Sequence, residues 1–320
     1  MKQIPIKNSD LTTSAIGYGC MRIGGSWDEN PVSSEQYSTA DKALNTAIEQ
    51  GITLFDHADI YCRGKAETVF GKWLSENPGM RESMVLQTKC GIRPTWDGNG
   101  QYVGRYDFSY EHIISSVERS LKRLQTDRLE ILLLHRHDVL MEGEEVARAF
   151  EELKQSGKVR FFGVSNHNAA SMQLLQSYLP FKLVANQLEF NLIHNTLIDQ
   201  AVTSNISPNF ENQRSEGTLE YCTMNAVTVQ AWSPIAKGAL KPEGENSELF
   251  NAVQEIANEY STTPEAIMVA WILRHPSKIQ PIVGSITPER IVAAAKGAAI
   301  DLTREQWYKL FTAARKKPLP

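Results

Sequence analysis

Eight short apolar runs recur along the chain, and that recurrence is the strongest constraint on its fold. They are Ala15–Gly19, Ile52–Phe55, Met84–Thr88, Leu129–Leu134, Val159–Val164, Leu183–Asn186, Val227–Ala231 and Ile279–Val283. Most are rich in Val, Ile and Leu without polar alternation, the pattern of strands buried on both faces of a parallel sheet. Amphipathic stretches lie between them. Ile113, Val117, Leu121 and Leu124 mark one helical face. Val146, Ala149, Phe150 and Leu153 mark another, closed by Gly157 at a C′ position. Two helical patterns, Glu248–Tyr260 and Pro264–His275, separate the last two runs. Eightfold alternation of strand and helix points to an α/β fold, a (β/α)8 (TIM) barrel. The doubly wound sheet is the rival architecture.

No linker rich in Pro, Gly or Ser divides the 320 residues, so residues 1–320 are expected to form one domain. Gln3–Ile6 and Leu11–Ser14 flank Asn8-Ser9 and suggest a short hairpin ahead of the barrel, while Thr303–Lys316 reads as a closing helix with Trp307, Leu310 and Phe311 on one face. Pro94–Tyr106 reads as a loop after the third strand, and Asn195–Gly217 as a polar loop after the sixth. In a barrel both overhang the C-terminal face, where substrates bind. Trp96, Tyr102, Tyr106 and Phe210 are therefore candidate pocket liners.

The net charge of −4 supplies no global basic field for nucleic acid. Cys20, Cys62, Cys90 and Cys222 are scattered without a CxxC pair, which suits reduced thiols better than a disulfide framework or a zinc site. The opening Met-Lys-Gln-Ile-Pro-Ile-Lys-Asn has no apolar h-region, and no run approaches the ~18 apolar residues of a membrane helix. A cytoplasmic location is expected, with no membrane partner. The residues carry no signal of oligomeric state.

Polar residues stand where the apolar runs end. Asp56 follows Ile52–Phe55, with Tyr61 five residues on; Lys89 follows Met84–Thr88; His135 follows Leu129–Leu134. Burying such groups is costly unless they satisfy one another. A tyrosine hydroxyl has an ordinary pKa of about 10. A nearby ammonium, here Lys89, is expected to lower it toward the range of proton transfer. Asp56 can hold Lys89 and offset its desolvation. His135 can hydrogen-bond and orient a carbonyl oxygen. The four make a general-acid site for a developing alkoxide, and the electrons must come from a cofactor.

The motifs that carry these residues resemble those of the aldo-keto reductases. Asp56-His57-Ala58-Asp59-Ile60-Tyr61 is similar to their D-x-A-x-x-Y segment, and Leu133-Leu134-His135-Arg136-His137-Asp138 to their L-x-H-x-x-D strand end. Gly163-Val164-Ser165-Asn166, Asn186-Gln187-Leu188-Glu189 and Trp232-Ser233-Pro234-Ile235 resemble three further motifs in the family's order. Ile282 through Ile291 resembles the segment that meets the adenosine phosphate. The likeness runs from about Gly17 to Ile300.

The resemblance implies reduction of aldehydes or ketones by NADPH, with NADH the less favoured cofactor and no metal. It implies Tyr61 as proton donor, tuned by Lys89 and Asp56, with Tyr61 and His135 touching the substrate. Ser165, Asn166 and Gln187 would meet the nicotinamide carboxamide, and Trp232 would stack on its ring. Ser233, Pro234, Ile235, Lys237, Gly238 and Leu240 would wrap the pyrophosphate. Gly284, Ser285 and Arg290 would meet the 2′-phosphate, at a helix start announced by Pro288. Met21 and Arg22 would lie beside the cofactor, as would Asp56. Two departures from the family pattern stand here: Val283 where the family often has Lys, which weakens strict NADPH preference, and Ala293-Ala294 where it often has Glu-Asn, which removes adenine contacts.

Three rival readings carry less. Gly17, Gly19 and Gly24 are spaced too widely before the third Gly for a dinucleotide loop, and no helical pattern follows directly. His135-Arg136-His137, with His57, Asp59, His167 and His194, could be metal ligands, but on the fourth strand and with no Asp at the eighth. A channel-type regulatory subunit would bind cofactor without needing the four polar residues intact. The residues do not name the substrate.

Overall fold

The computed structural model describes residues 1–96, 103–203 and 217–320. Eight parallel strands close into a barrel: β1 (Gly17–Gly19), β2 (Leu54–Asp56), β3 (Val85–Cys90), β4 (Leu129–Leu134), β5 (Val159–Ser165), β6 (Ala185–Glu189), β7 (Thr228–Trp232) and β8 (Gln280–Val283). Each pairs with its sequence neighbours, and β8 returns to β1 through Ile282↔Gly17 and Val283↔Tyr18. The expected barrel is therefore present, and the doubly wound sheet is not. Several strands begin a residue or two later than their apolar runs and extend to the polar residue at the end. Hydrogen bonding to the neighbour, not hydrophobicity, sets where a strand stops.

Helices α1 (Ser34–Glu49), α2 (Lys65–Glu76), α3 (Tyr110–Leu124), α4 (Gly143–Gln155) and α5 (Ala169–Tyr178) join the first six strands. Then come α6 (Thr196–Val202), α7 (Thr218–Met224), α8 (Ser247–Glu259), α9 (Pro264–Leu273), α10 (Pro288–Lys296) and α11 (Arg304–Arg315). The apolar faces read from α3 and α4 are buried, and Gly157, past the end of α4, has the left-handed φ of +73° expected of a C′ residue. Helix α11 starts with a Thr303–Gln306 capping box. It lays Trp307 flat on Trp271 of α9, with centroids 5.2 Å apart.

Two segments depart from expectation. The polar stretch after β6 opens with α6, because Leu197 and Ile198 find apolar cover there. The loop after β3 is tied at its base, where Ile92–Arg93 pairs antiparallel with Arg105–Tyr106. Trp96 and Tyr106 are both exposed; Tyr102 and Phe210 lie outside the described residues.

The hairpin pairs Gln3–Pro5 with Thr12–Ser14. Ile6 and Leu11, expected in the strands, turn inward instead. They pack with Leu54, Val85, Ile131, Leu133, Val184, Ala185 and Ile282, closing the N-terminal end of the barrel. Asn8 secures the turn by donating to the carbonyls of Leu183 and Asn225, each at 3.0 Å. Above this apolar floor lies a layer of four buried glutamines, Gln87, Gln187, Gln230 and Gln280. The catalytic candidates stand one layer higher.

Close helix packing gives a test of the outer layer. A Cβ on Gly71 of α2 would fall 2.0 Å from the carbonyl oxygen of Arg123. Gly71→Ala should therefore destabilise the fold by about 1–3 kcal/mol through overpacking. Urea unfolding should show a lower midpoint at unchanged slope.

Candidate active site

Asp56 ends β2, Lys89 is the penultimate residue of β3, and His135 follows β4 directly. Adjacent parallel strands bring their ends to one mouth. The carbonyl of Cys90 accepts from the His135 N–H at 2.9 Å, which fixes the start of that loop. This gives the main chain of Cys90 a part; its thiol is buried. Tyr61 comes in from the β2–α2 connection. Behind it Cys62, Arg63 and Gly64 all take left-handed backbone, with φ of 48°, 61° and 86°. Three such residues in a row turn the chain sharply. The Cys62 thiol anchors the turn on the carbonyls of Met21 and Gly25, each at 3.1 Å.

The centre of the site is the Lys89 ammonium. Its Nζ lies 2.8 and 2.7 Å from the two Asp56 carboxylate oxygens, 2.8 Å from the His57 carbonyl and 3.1 Å from the Tyr61 hydroxyl. An ammonium has three protons, and here three groups take them. Burial works against the Lys89 charge, but Asp56 and Tyr61 more than offset it, and its pKa is raised. The Tyr61 oxygen accepts from Lys89, so its own proton is left to point into the cavity.

Burial pushes the Tyr61 hydroxyl above its ordinary value, and the Lys89 charge works against this without overturning it. The net shift is upward, the reverse of the lowering expected from the sequence. Desolvation disfavours the phenolate more than one neutralised ammonium favours it. The hydroxyl therefore keeps its proton until charge develops on an acceptor beside it. The His135 ring meets Tyr61 edge-on, with centroids 5.9 Å apart. Burial, then the charges of Lys89 and Arg136, hold His135 well below the usual histidine range. A neutral imidazole can donate to a carbonyl oxygen without competing as an acid.

These side chains open onto a cavity of about 670 Å³. Every residue assigned to the cofactor from the sequence lines it: Met21, Arg22, Asp56, Ser165, Asn166, Gln187, Trp232, Ser233, Pro234, Ile235, Lys237, Gly238, Leu240, Gly284, Ser285 and Arg290. Tyr61 and His135 line it too, while Lys89 lies wholly buried beneath. Sequence reasoning missed Gly19, Arg136, Phe250, Pro264, Glu265, Met268 and Ile282. Pro264 and Glu265 could have been found. Thr263-Pro264-Glu265 reads as a helix start, and helices that precede a barrel strand begin at the C-terminal face. Phe250 and Met268 carry no signal apart from their helical faces.

The lining suits a dinucleotide with a nicotinamide at one end and phosphate along the middle. Trp232 offers an aromatic wall, held by its Nε1 donating to Asn166 Oδ1 at 3.1 Å. After it, Ser233, Ala236, Lys237 and Gly238 all have positive φ, and the space beside Gly238 is open. Lys237 meets Glu189 at 3.1 Å, so part of its charge is already matched. Arg290, in the first turn of α10, pairs with no acidic group among the described residues. Val283 is buried in β8, and Ala293 and Ala294 are buried in α10.

Ser165 and Asn166 are largely committed within the protein. The Ser165 hydroxyl donates to the Gln187 carbonyl at 2.9 Å; Asn166 Nδ2 donates to the His135 carbonyl at 3.1 Å and to Ser165 Oγ at 2.9 Å. Of the three residues assigned to the carboxamide, Gln187 keeps an unused side-chain oxygen. The histidines raised as metal ligands are dispersed. His57 packs edge-on against Phe70, and His137 against His167. No group of three or more His, Cys, Asp or Glu is placed to hold a metal among the described residues.

Comparison with known proteins agrees with this geometry. Residues 15–314 match the model of the Aldo/keto reductase family. The chain belongs to the aldo/keto reductase family. It is an NAD(P)H-dependent oxidoreductase, acting in the carbonyl chemistry of that family. The uncharacterized oxidoreductase YcsN of Bacillus subtilis is 38% identical over 97% of this chain and 97% of its own. A 6-dehydroglucose reductase of Agrobacterium fabrum is 36% identical over 98% of each. Among solved structures, the thermostable aldo-keto reductase Tm1743 superposes with a TM-score of 0.78 at 25% identity, over 98% of this chain and 100% of that one. An aldo-keto reductase from Klebsiella pneumoniae in complex with NADPH shares the fold, with a TM-score of 0.74 at 24% identity over 100% and 96%.

The buried charges lend themselves to two measurements. Lys89→Met removes the partner of a buried carboxylate and should cost about 3–5 kcal/mol of stability, read by chemical unfolding. Burial holds His57 down to about 3 and His167 down to about 4, both below the unfolded value of about 6.5. Such groups contribute stability that is fully present above about pH 6.5 and is lost as pH falls toward about 4 for His167 and about 3 for His57. Calorimetry should show Tm falling across that window, with less loss in His167→Gln.

Proposed function

We propose that the chain reduces an aldehyde or ketone to an alcohol with NADPH, and that Tyr61 gives the proton. The observation that carries this is the Lys89–Tyr61 contact at 3.1 Å. In it the phenol oxygen accepts from the ammonium, which leaves the phenolic proton free to face the cavity. The nicotinamide, when bound, supplies the hydride. His135 holds the carbonyl oxygen near Tyr61, and Tyr61 passes its proton to that oxygen as negative charge grows there. Lys89 then faces a phenolate, and its charge stabilises it. Asp56 keeps Lys89 in place and charged. Trp232 forms one wall for the flat ring. The loop from Ser233 to Leu240 holds the phosphates through backbone N–H groups and Lys237.

Preference for NADPH over NADH rests on Arg290 and Ser285, at the start of α10, where a phosphate also meets helix amides. Glu265 opposes it, because an acidic residue lines the same cavity. We further propose that residues 1–320 act as one domain. The four cysteines are all free and buried, which supports a reducing, cytoplasmic setting; no helix among the described residues is long and apolar enough to cross a membrane.

Outside the residues that line the cavity, Trp27 meets Trp96 edge-on at 6.2 Å, and Arg63 lies over the Trp96 ring at 4.7 Å. Arg63 is two residues from Tyr61 in the chain, on the turn that follows the proton donor. We propose that this ledge bounds the substrate. Two relatives, at 36% and 31% identity, are described as 6-dehydroglucose reductases. That compound belongs at the head of a carbonyl panel followed by loss of reduced cofactor.

Tyr61→Phe should lower kcat by roughly 10²–10⁴-fold, the usual worth of a general acid, with cofactor affinity nearly unchanged in a fluorescence titration. Near-native turnover would show that another group donates. Arg290→Ala should weaken NADPH by about ten- to a hundredfold and NADH hardly at all. Equal loss for both would remove Arg290 from the 2′-phosphate.

A further inference from the structure

The glutamine layer beneath the active site has a direction. At its lower end Gln280 Nε2 donates to the Ser14 carbonyl at 2.8 Å and to Thr13 Oγ1 at 3.0 Å. Gln280 Oε1 accepts from Gln230 Nε2 at 3.2 Å, and Gln230 Nε2 also reaches Gln87 Oε1 at 3.1 Å. Gln230 Oε1 accepts from Gln87 Nε2 at 2.8 Å and from Gln187 Nε2 at 3.2 Å. Those same two nitrogens reach Asp56 Oδ1, at 2.6 Å from Gln87 and 3.0 Å from Gln187.

Each end of this chain is held by a group that only accepts, with the Thr13 hydroxyl beside the lower one. A backbone carbonyl lies at the bottom and an ionised carboxylate at the top. Each amide between them must therefore keep its nitrogen and oxygen in the observed places. Reversing Gln187 would set its oxygen against the Asp56 carboxylate and against Gln230 Oε1. Reversing Gln230 would set oxygen against oxygen at Gln280. All four side chains are buried, so water cannot relieve such contacts. One hydrogen bond would let the Gln187 amide swing about it. Two from the same nitrogen fix its plane, and with it the direction of its oxygen. Gln187 lines the cavity, and that oxygen has no partner among the described residues.

We propose that Gln87, Gln230 and Gln280 are positioning residues that lock the Gln187 amide with its oxygen toward the cavity, so that this point of the site selects a hydrogen-bond donor on the cofactor. Resting on the nicotinamide reading above, the donor is the carboxamide NH2. The selection reaches through the barrel: the N-terminal hairpin sets the polarity of the chain at Ser14, and the amide that meets the cofactor inherits it. Gln87 has a second task, since its nitrogen holds the Asp56 oxygen that also receives Lys89.

The test compares NADPH with its 3-acetylpyridine analogue, which has a methyl group in place of the amide NH2, and with 2′,5′-ADP, which probes the adenosine end alone. The wild-type protein should bind NADPH at least about tenfold more tightly than the analogue, the worth of one hydrogen bond. In Gln230→Met that preference should shrink to about threefold or less, with 2′,5′-ADP binding unchanged. In Gln280→Met, one link farther from the cavity, it should shrink by a smaller factor; this variant carries the test where Gln230→Met fails to fold. A preference kept at its wild-type size in a variant that binds 2′,5′-ADP normally would reduce the chain to packing and overturn the proposal. Equal wild-type affinity for NADPH and the analogue would overturn it as well. Wild-type protein that bound neither NADPH nor 2′,5′-ADP would instead overturn the nicotinamide reading on which it rests.

Discussion

An ammonium without water must find an acceptor for each of its protons, and the Lys89 side chain does so at the centre of the barrel. Asp56, the His57 carbonyl and Tyr61 divide its three protons among them. A lysine buried to this degree would lose its charge if unpaired, so the charge and the arrangement sustain each other. The requirement reaches outward. Asp56 must end β2 and Lys89 must stand beside the end of β3. The connection after β2 must bend hard enough to return Tyr61 over both. The left-handed run of Cys62, Arg63 and Gly64 makes that bend.

The interior beneath Lys89 is layered by polarity. The hairpin supplies an apolar floor with Ile6 and Leu11, and above it come the glutamines and then the ion pair. A purely apolar interior would leave the lower edge of Asp56 without donors. The amides of Gln87 and Gln187 supply them; Gln230 in turn bonds both, and Gln280 bonds Gln230. The hairpin is thus more than a lid on the floor, because its Ser14 carbonyl closes the polar chain.

Much of this is legible in the residues alone. Short runs of Val, Ile and Leu broken by helical stripes admit few arrangements, and a polar residue at the end of a buried run has few reasons to be there. That is why the residue pattern is enough to set Asp56, Lys89, His135 and Trp232 at one mouth. Three things are not legible in it. The stretch from Asn195 to Gly217 reads as a polar loop, yet Leu197 and Ile198 suffice to hold a helix at its start once a core is beside them. Phe250 and Met268 read as ordinary helix residues, and become cavity walls because of how α8 and α9 lie across the barrel end. The Tyr61 shift runs opposite to the direction that charge alone implies, since charge can be counted in a sequence and desolvation cannot.

Sequence by itself determined the order of elements, the polar residues at the strand ends and the family, because these depend on residue type and on spacing along one strand or helix. The tertiary structure alone decided which polar atoms are used up within the protein and which remain free. Ser165 and Asn166 are committed to neighbours, and Gln187 has an oxygen to spare. The physical reason is that hydrogen-bond partners lie far apart in the chain, 143 residues for Gln87 and Gln230 and 266 for Gln280 and Ser14. Only closing the barrel brings such groups within reach of one another.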